Sequence, residues 1–143
     1  MDIEKRLREI KKYYLAHPFD LRKKIRVWEL NVELNTGINL INPFYEFSRE
    51  DIQDADEGVK NPRIKPYKNL VEDDLELVKN SDGFIAIIEG NNSIGTFQEM
   101  VYAYNWKKPI ISIVTNGKQQ HPWIKYHSTK IFTNYTDFEK WIR

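Results

Sequence analysis

Residues 81–100, SDGFIAIIEGNNSIGTFQEM, decide how the rest of the chain is read. GFIAII (83–88) is a continuous apolar run of strand length, the pattern of a parallel strand buried on both faces. A short polar turn follows, and then an apolar face at helical spacing, Phe97, Met100, Val101 and Tyr104, predicts a helix over 95–106. A buried strand running through a polar turn into a helix is half of a βαβ unit. The chain repeats it. KYYLA (12–16) reads as a strand, and the helix after it carries Leu21, Ile25, Trp28 and Val32 on one face. Asp20 is its candidate cap and Gly37 its candidate end.

INLINP (38–43) reads as a second strand, stopped by Pro43, and residues 44–66 as a long polar loop of the kind that forms lids. Residues 69–80 hold Leu70, Val71, Asp74, Leu75 and Val78 at helical spacing. PIISIV (109–114) and KIFTNY (130–135) read as further strands, and TDFEKWI (136–142) as a last helix capped by Thr136 or Asp137. The expected fold class is α/β: one domain over 1–143, a doubly wound, flavodoxin- or Rossmann-like parallel sheet of about five strands with helices on both faces. Such sheets bind ligands at the carboxyl ends of their strands, near the switch in strand order. HPFD, NPFYE and EGNNSIGTFQE leave strands there.

Composition narrows the function. The 22 basic and 21 acidic residues leave a net charge of +1, too balanced for a coat on polymeric nucleic acid or a polybasic membrane surface. No apolar run nears the roughly 20 residues of a membrane span. The opening MDIEKRLREIKK is charged throughout, unlike a signal peptide, so the expected address is the cytoplasm. With no cysteine, disulfides, thiol catalysis and cysteine–zinc sites are excluded. His17, His121 and His127 lack metal-ligand spacing, no phosphate-binding P-loop or dinucleotide fingerprint follows a strand, and no cofactor is expected.

Glu99 is the residue that asks for an explanation. It stands near the start of a helix at a ligand-binding corner, where the helix dipole favours an ionised carboxylate fit to attack an electron-poor carbon. Position alone fits an ordinary helix-start glutamate as well. The surrounding segments add to it: YYLAHPF, INPF, DLELVKNSDGFIAII, GTFQEMVYAY, KPIISIV and HSTKIFTNYTDF, in this order. With them the chain resembles the nucleoside 2-deoxyribosyltransferase superfamily from about Tyr13 to Trp141. That resemblance implies cleavage of the N-glycosidic bond between base and sugar, with Glu99 as nucleophile at the anomeric carbon and Asp74 as the second carboxylate that helps the base depart. It implies a small-molecule nucleoside or nucleotide partner, and a homodimer or larger even oligomer with shared active sites. Asp74 fits a solvated helix face equally well.

The family has two branches. One moves deoxyribose between free nucleosides and carries an aspartate six residues before the nucleophile and an asparagine from the neighbouring subunit. The other hydrolyses nucleoside 5′-monophosphates and carries serines at both places. Here those positions are Ser93 and Ser128. A carboxylate beside a phosphate sets like charges together, whereas a hydroxyl and the N–H groups around Gly95 favour an anion. YLAHPF, which brings His17, Pro18 and Phe19, is instead nearer the transferases, and the Gly- and Arg-rich loop of the hydrolases is missing. Tyr14 is a candidate for the sugar site; Asn42, Tyr45 and Glu46 for the base; Arg22, Lys23 or Lys24 for a phosphate; His17 for base or phosphate. The expected function is hydrolysis of a (2′-deoxy)nucleoside 5′-monophosphate, with deoxyribosyl transfer as the alternative. A non-catalytic nucleotide sensor is the rival from another class, against which the intact Glu99 and Asp74 speak.

Overall fold

A computed structural model describes residues 2–46, 67–91 and 94–143. Five strands form one sheet in the order β2-β1-β3-β4-β5: β1 (Lys12–Ala16), β2 (Asn39–Ile41), β3 (Gly83–Ile88), β4 (Ile110–Val114) and β5 (Lys130–Phe132). Every neighbouring pair is parallel. β1 has β2 on one side and β3 on the other, so the strand order reverses between β1 and β3. The crevice at that reversal is where this topology binds ligands.

The two-residue period of a strand sends alternate side chains to opposite faces, and each face has its own core. Tyr13, Leu15, Ile85, Ile87, Ile111 and Ile113 pack under α1 (Ile3–Glu9), α2 (Arg22–Thr36) and α7 (Tyr135–Ile142). Tyr14, Ala16, Phe84, Ala86, Ile88 and Ile110 pack under α4 (Tyr67–Lys79), α5 (Ile94–Asn105) and α6 (Pro122–His127). Each large side chain so buried contributes about 1.5–3 kcal/mol from apolar area. Both faces are therefore covered, as the unbroken apolar runs require.

Several boundaries differ from the expectation. Asp20 does not occupy the cap position of α2; it lies in a 3₁₀ turn, Phe19–Leu21, and the helix starts behind Leu21 with no side-chain cap. Gly37 does end α2, in the left-handed region at φ 76°, its N–H donating to Glu33 O at 2.9 Å. At α7 the cap is Asn134, whose side chain accepts from Asp137 N at 2.8 Å, in place of Thr136 or Asp137. α1 was not anticipated, although Asp2 caps it by accepting from Glu4 N at 3.0 Å. Nor was α6, which opens on Pro122 behind the cap of His121 and supplies the crossover that parallel β4 and β5 need. The loop expected from 44 begins as a helical turn, α3 (Pro43–Glu46); 47–66 lie outside the described residues. Among the described residues no helix is long and apolar enough to cross a membrane.

Candidate active site

Tyr14 sits two residues before the end of β1, fully buried, its ring stacked on Phe84 of β3 with centroids 5.4 Å apart. Strand alternation turns it toward α5, where its hydroxyl donates to Glu99 Oε2. This short bond brings two sequence candidates together, 85 residues apart in the chain. Glu99 is the one charged residue of α5 and is half-buried. It lies in the second turn, beyond the reach over which a helix dipole acts strongly. Tyr14 holds the carboxylate through a charge-assisted O–H···O bond. Both groups lie beside the strand-order reversal.

Gly95, the second residue of α5, is exposed: apart from its chain neighbours and its own helix backbone, a Cβ built there meets no atom within 4 Å. Ser93 lies outside the described residues. Asp74 is half-buried on α4, the helix that packs beside α5. Ser128 is engaged within its own chain, donating to Ile124 O at 2.6 Å and sharing a 2.7 Å bond with the buried Ser112 Oγ. Lys24 is held by Glu89 at the end of β3, with Nζ to Oε2 2.8 Å. Burial raises the Glu89 carboxyl, but hydrogen bonds from Lys24 and Thr115 outweigh it and keep it below the usual range. Lys24 is therefore committed to an ion pair in this arrangement. Arg22 lays its guanidinium 3.9 Å from the Phe19 ring centre.

His17, Pro18 and Asn42 are buried at the ends of β1 and β2. His17 Nδ1 meets Pro18 O at 2.8 Å, and its Nε2 meets Asn42 Nδ2 at 2.9 Å. The same amide nitrogen donates to Glu29 Oε1 at 2.7 Å. A carbonyl accepts only, so Nδ1 carries the proton and Nε2 accepts from Asn42. Both ring nitrogens are spent, and burial holds the imidazole below its ordinary value. His17 thus has no nitrogen to offer a substrate as placed. Phe19 packs edge-on to Phe44, with centroids 5.4 Å apart.

Glu29 escaped the sequence reading. It is fully buried, and burial pushes its carboxyl up to about 7 against the opposing pull of Asn42 and Arg26. The signal was available: Glu29 stands four residues after Ile25 and three before Val32, inside the apolar stripe of α2. Ser112 left a similar trace, a polar residue within IISIV. Among the described residues no cluster of His, Asp and Glu could hold a metal ion.

A parallel sheet of order 2-1-3-4-5 defines the class, a doubly wound α/β fold, here with a tyrosine-bound glutamate beside its strand-order reversal. Two solved structures share that fold. A 2-deoxyribosyltransferase from the psychrotolerant bacterium Bacillus psychrosaccharolyticus aligns over 90% of each chain with TM-score 0.68 and 23% identity. A CMP N-glycosidase of Clostridium botulinum aligns over 91% of this chain and 95% of its own with TM-score 0.55 and 18% identity. No protein-family model and no curated protein matches the chain.

Proposed function

We propose that the chain is an N-glycosidase that hydrolyses a (2′-deoxy)nucleoside 5′-monophosphate through a glycosyl ester on Glu99. The observation that carries this reading is the Tyr14–Glu99 pair at the strand-order reversal. Tyr14 fixes the carboxylate by donating to its Oε2. Glu99 displaces the base at the anomeric carbon, the C1′–N bond breaks, and the base leaves with a proton supplied by Asp74 or water. Water then cleaves the ester, returning the Glu99 carboxylate and releasing the sugar phosphate. Retaining glycosidases divide the work between two carboxyl groups in this way. Both solved neighbours are enzymes of N-glycosidic chemistry by name, which supports the reading.

The monophosphate preference rests on Ser93 and Ser128 in place of an acid and an amide, and on the open approach at Gly95. That one neighbour acts on CMP, a nucleoside monophosphate, supports it. Deoxyribosyl transfer between bases is the second reading, favoured by YLAHPF and by the higher TM-score to the transferase. Incubation with CMP, deoxynucleoside 5′-monophosphates and the parent nucleosides, read as free base with and without a second base, separates the two. Release of no base from any of them contradicts both.

We also propose a second copy of the chain as partner. Phe97 and Trp123, 38% and 68% exposed, line a groove of 360 Å³ between α5 and α6, and Ile94 and Tyr126 stand 77% and 66% exposed on the same two helices. α5 is apolar on several sides, the mark of a helix covered on more than one. Sedimentation at assay concentration tests this, and a monomer with full activity removes Ser128 from any shared site.

A further inference from the structure

We propose that Glu29, which touches no substrate, is a positioning residue: it sets the amide of Asn42, which sets the imidazole of His17, and so locks the ends of β1 and β2 into one rim beside Glu99. The inference rests on the reading above only for what the rim holds. Its geometry stands independently.

Asn42 is saturated in one orientation. Its Oδ1 accepts from Phe44 N at 3.1 Å, and its backbone carbonyl accepts from Tyr45 N at 3.0 Å and Glu46 N at 2.9 Å, opening α3. Its two amide hydrogens go to His17 Nε2 and Glu29 Oε1. A flipped amide would set oxygen against two acceptors and free two hydrogens. Glu29 Oε1 is the acceptor that forbids the flip from the far side of the network. Its effect continues outward. The His17 ring lies 4.9 Å from that of Phe44, which packs on Phe19, and Arg26, 3.5 Å from Glu29 Oε1, lays its guanidinium 4.2 Å from the Tyr45 ring centre. His17 directly follows β1, three residues after Tyr14, so the rim fixes the end of the strand whose Tyr14 holds the Glu99 carboxylate.

Stability does not explain Glu29. Its Oε2 is buried with no hydrogen-bond partner, in a place on the apolar stripe where a leucine would pack against Ile25 and Val32. A buried acid with an unsatisfied oxygen calls for a reason, and fixing a single arrangement at a site is the one this network offers.

The test compares Glu29→Gln, which keeps the Oε1 acceptor, with Glu29→Met, which removes it at similar volume. The first readout is the nitrogen NMR spectrum of His17 without any ligand. Wild type and Glu29→Gln are expected to show one neutral Nδ1–H tautomer at neutral pH, and Glu29→Met a mixture. The second is hydrolysis of CMP and 2′-deoxycytidine 5′-monophosphate. Glu29→Met should raise KM about tenfold, the effect of about one lost positioning bond, with kcat much less affected. Glu29→Gln should stay within a factor of about two on both. An unchanged tautomer and KM in Glu29→Met, or the same losses in Glu29→Gln, overturns the proposal. Should Glu29→Met not fold, Asn42→Asp replaces the donor by an acceptor and is expected to protonate His17; a neutral His17 there overturns it equally. If wild type cleaves neither probe, the functional reading fails while the His17 spectra still decide the role of Glu29.

Discussion

Replacing Glu29 by Gln should change how stability depends on pH, in a direction and size that the buried network sets. The ordinary value for this carboxyl is 4.5, and burial lifts it to about 7 in the folded chain. A raised acid binds protons more tightly when folded, so the folded state gains on the acid side and loses stability as pH rises from the unfolded value through the folded one. From 4.5 to about 7, at about 1.36 kcal/mol per pH unit, the loss is about 3 kcal/mol, most of it between about pH 5 and pH 8. The groups facing the carboxyl are Asn42 and Arg26, with Glu33 on the same helix adding like charge and His17 one bond further on. His17 acts in the opposite sense. Burial lowers its value, so the stability it contributes is present above 6.5 and lost toward acid. Glu29→Gln removes one slope and keeps the other. Urea unfolding of both proteins at several pH values should show the variant gaining on wild type by about 2–3 kcal/mol from about pH 5 to pH 8. A difference that stays flat, or grows toward acid, would refute the buried-acid account.

Tyr14→Phe removes the hydroxyl that holds Glu99, and a hydrogen bond to a charged group contributes about 1.5–3 kcal/mol, so kcat for base release should fall about 10–150-fold with a smaller change in KM. Wild-type kcat in a folded Tyr14→Phe variant removes Tyr14 from the mechanism. Asp74→Asn should slow turnover by about 10²–10⁴ if Asp74 protonates the departing base, and unchanged kinetics return it to a solvated face. Gly83→Ala should destabilise the fold by about 1–3 kcal/mol or more, because its Cβ would lie 2.5 and 2.7 Å from carbons of the Tyr13 ring. That ring is fully buried and its hydroxyl donates to Leu7 O at 2.5 Å, so it has nowhere to go; a urea midpoint equal to wild type would contradict the packing.

The fold was legible because the sheet is buried on both faces. KYYLA and GFIAII match β1 and β3 residue for residue, since unbroken apolar runs leave no other placement for a parallel strand. Helix ends were legible where backbone geometry demands one residue, as at Gly37, and misplaced where several polar residues could serve, as at Asp20 and Thr136. α1 and α6 escaped for want of periodicity, being only seven and six residues long. In the candidate site, Glu99 was visible from its place after β3 and Tyr14 as a candidate for the sugar, but not the bond between them, which forms only once the fold turns Tyr14 toward α5. Glu29 shows the converse. A carboxylate in an apolar stripe is written in the sequence, but its partner Asn42 lies across a loop and a strand, and only the assembled sheet brings them together.

The central claim is a covalent sugar on Glu99, and its most direct measurement is mass spectrometry of the protein quenched during turnover of a deoxynucleoside 5′-monophosphate. Wild type should gain the mass of a deoxyribose phosphate, mapped to the peptide containing Glu99, while free base accumulates and an added second base is not glycosylated. Glu99→Ala, folded by its melting curve, should show neither adduct nor base. Base release by folded Glu99→Ala, or an adduct on any other residue, would contradict the account.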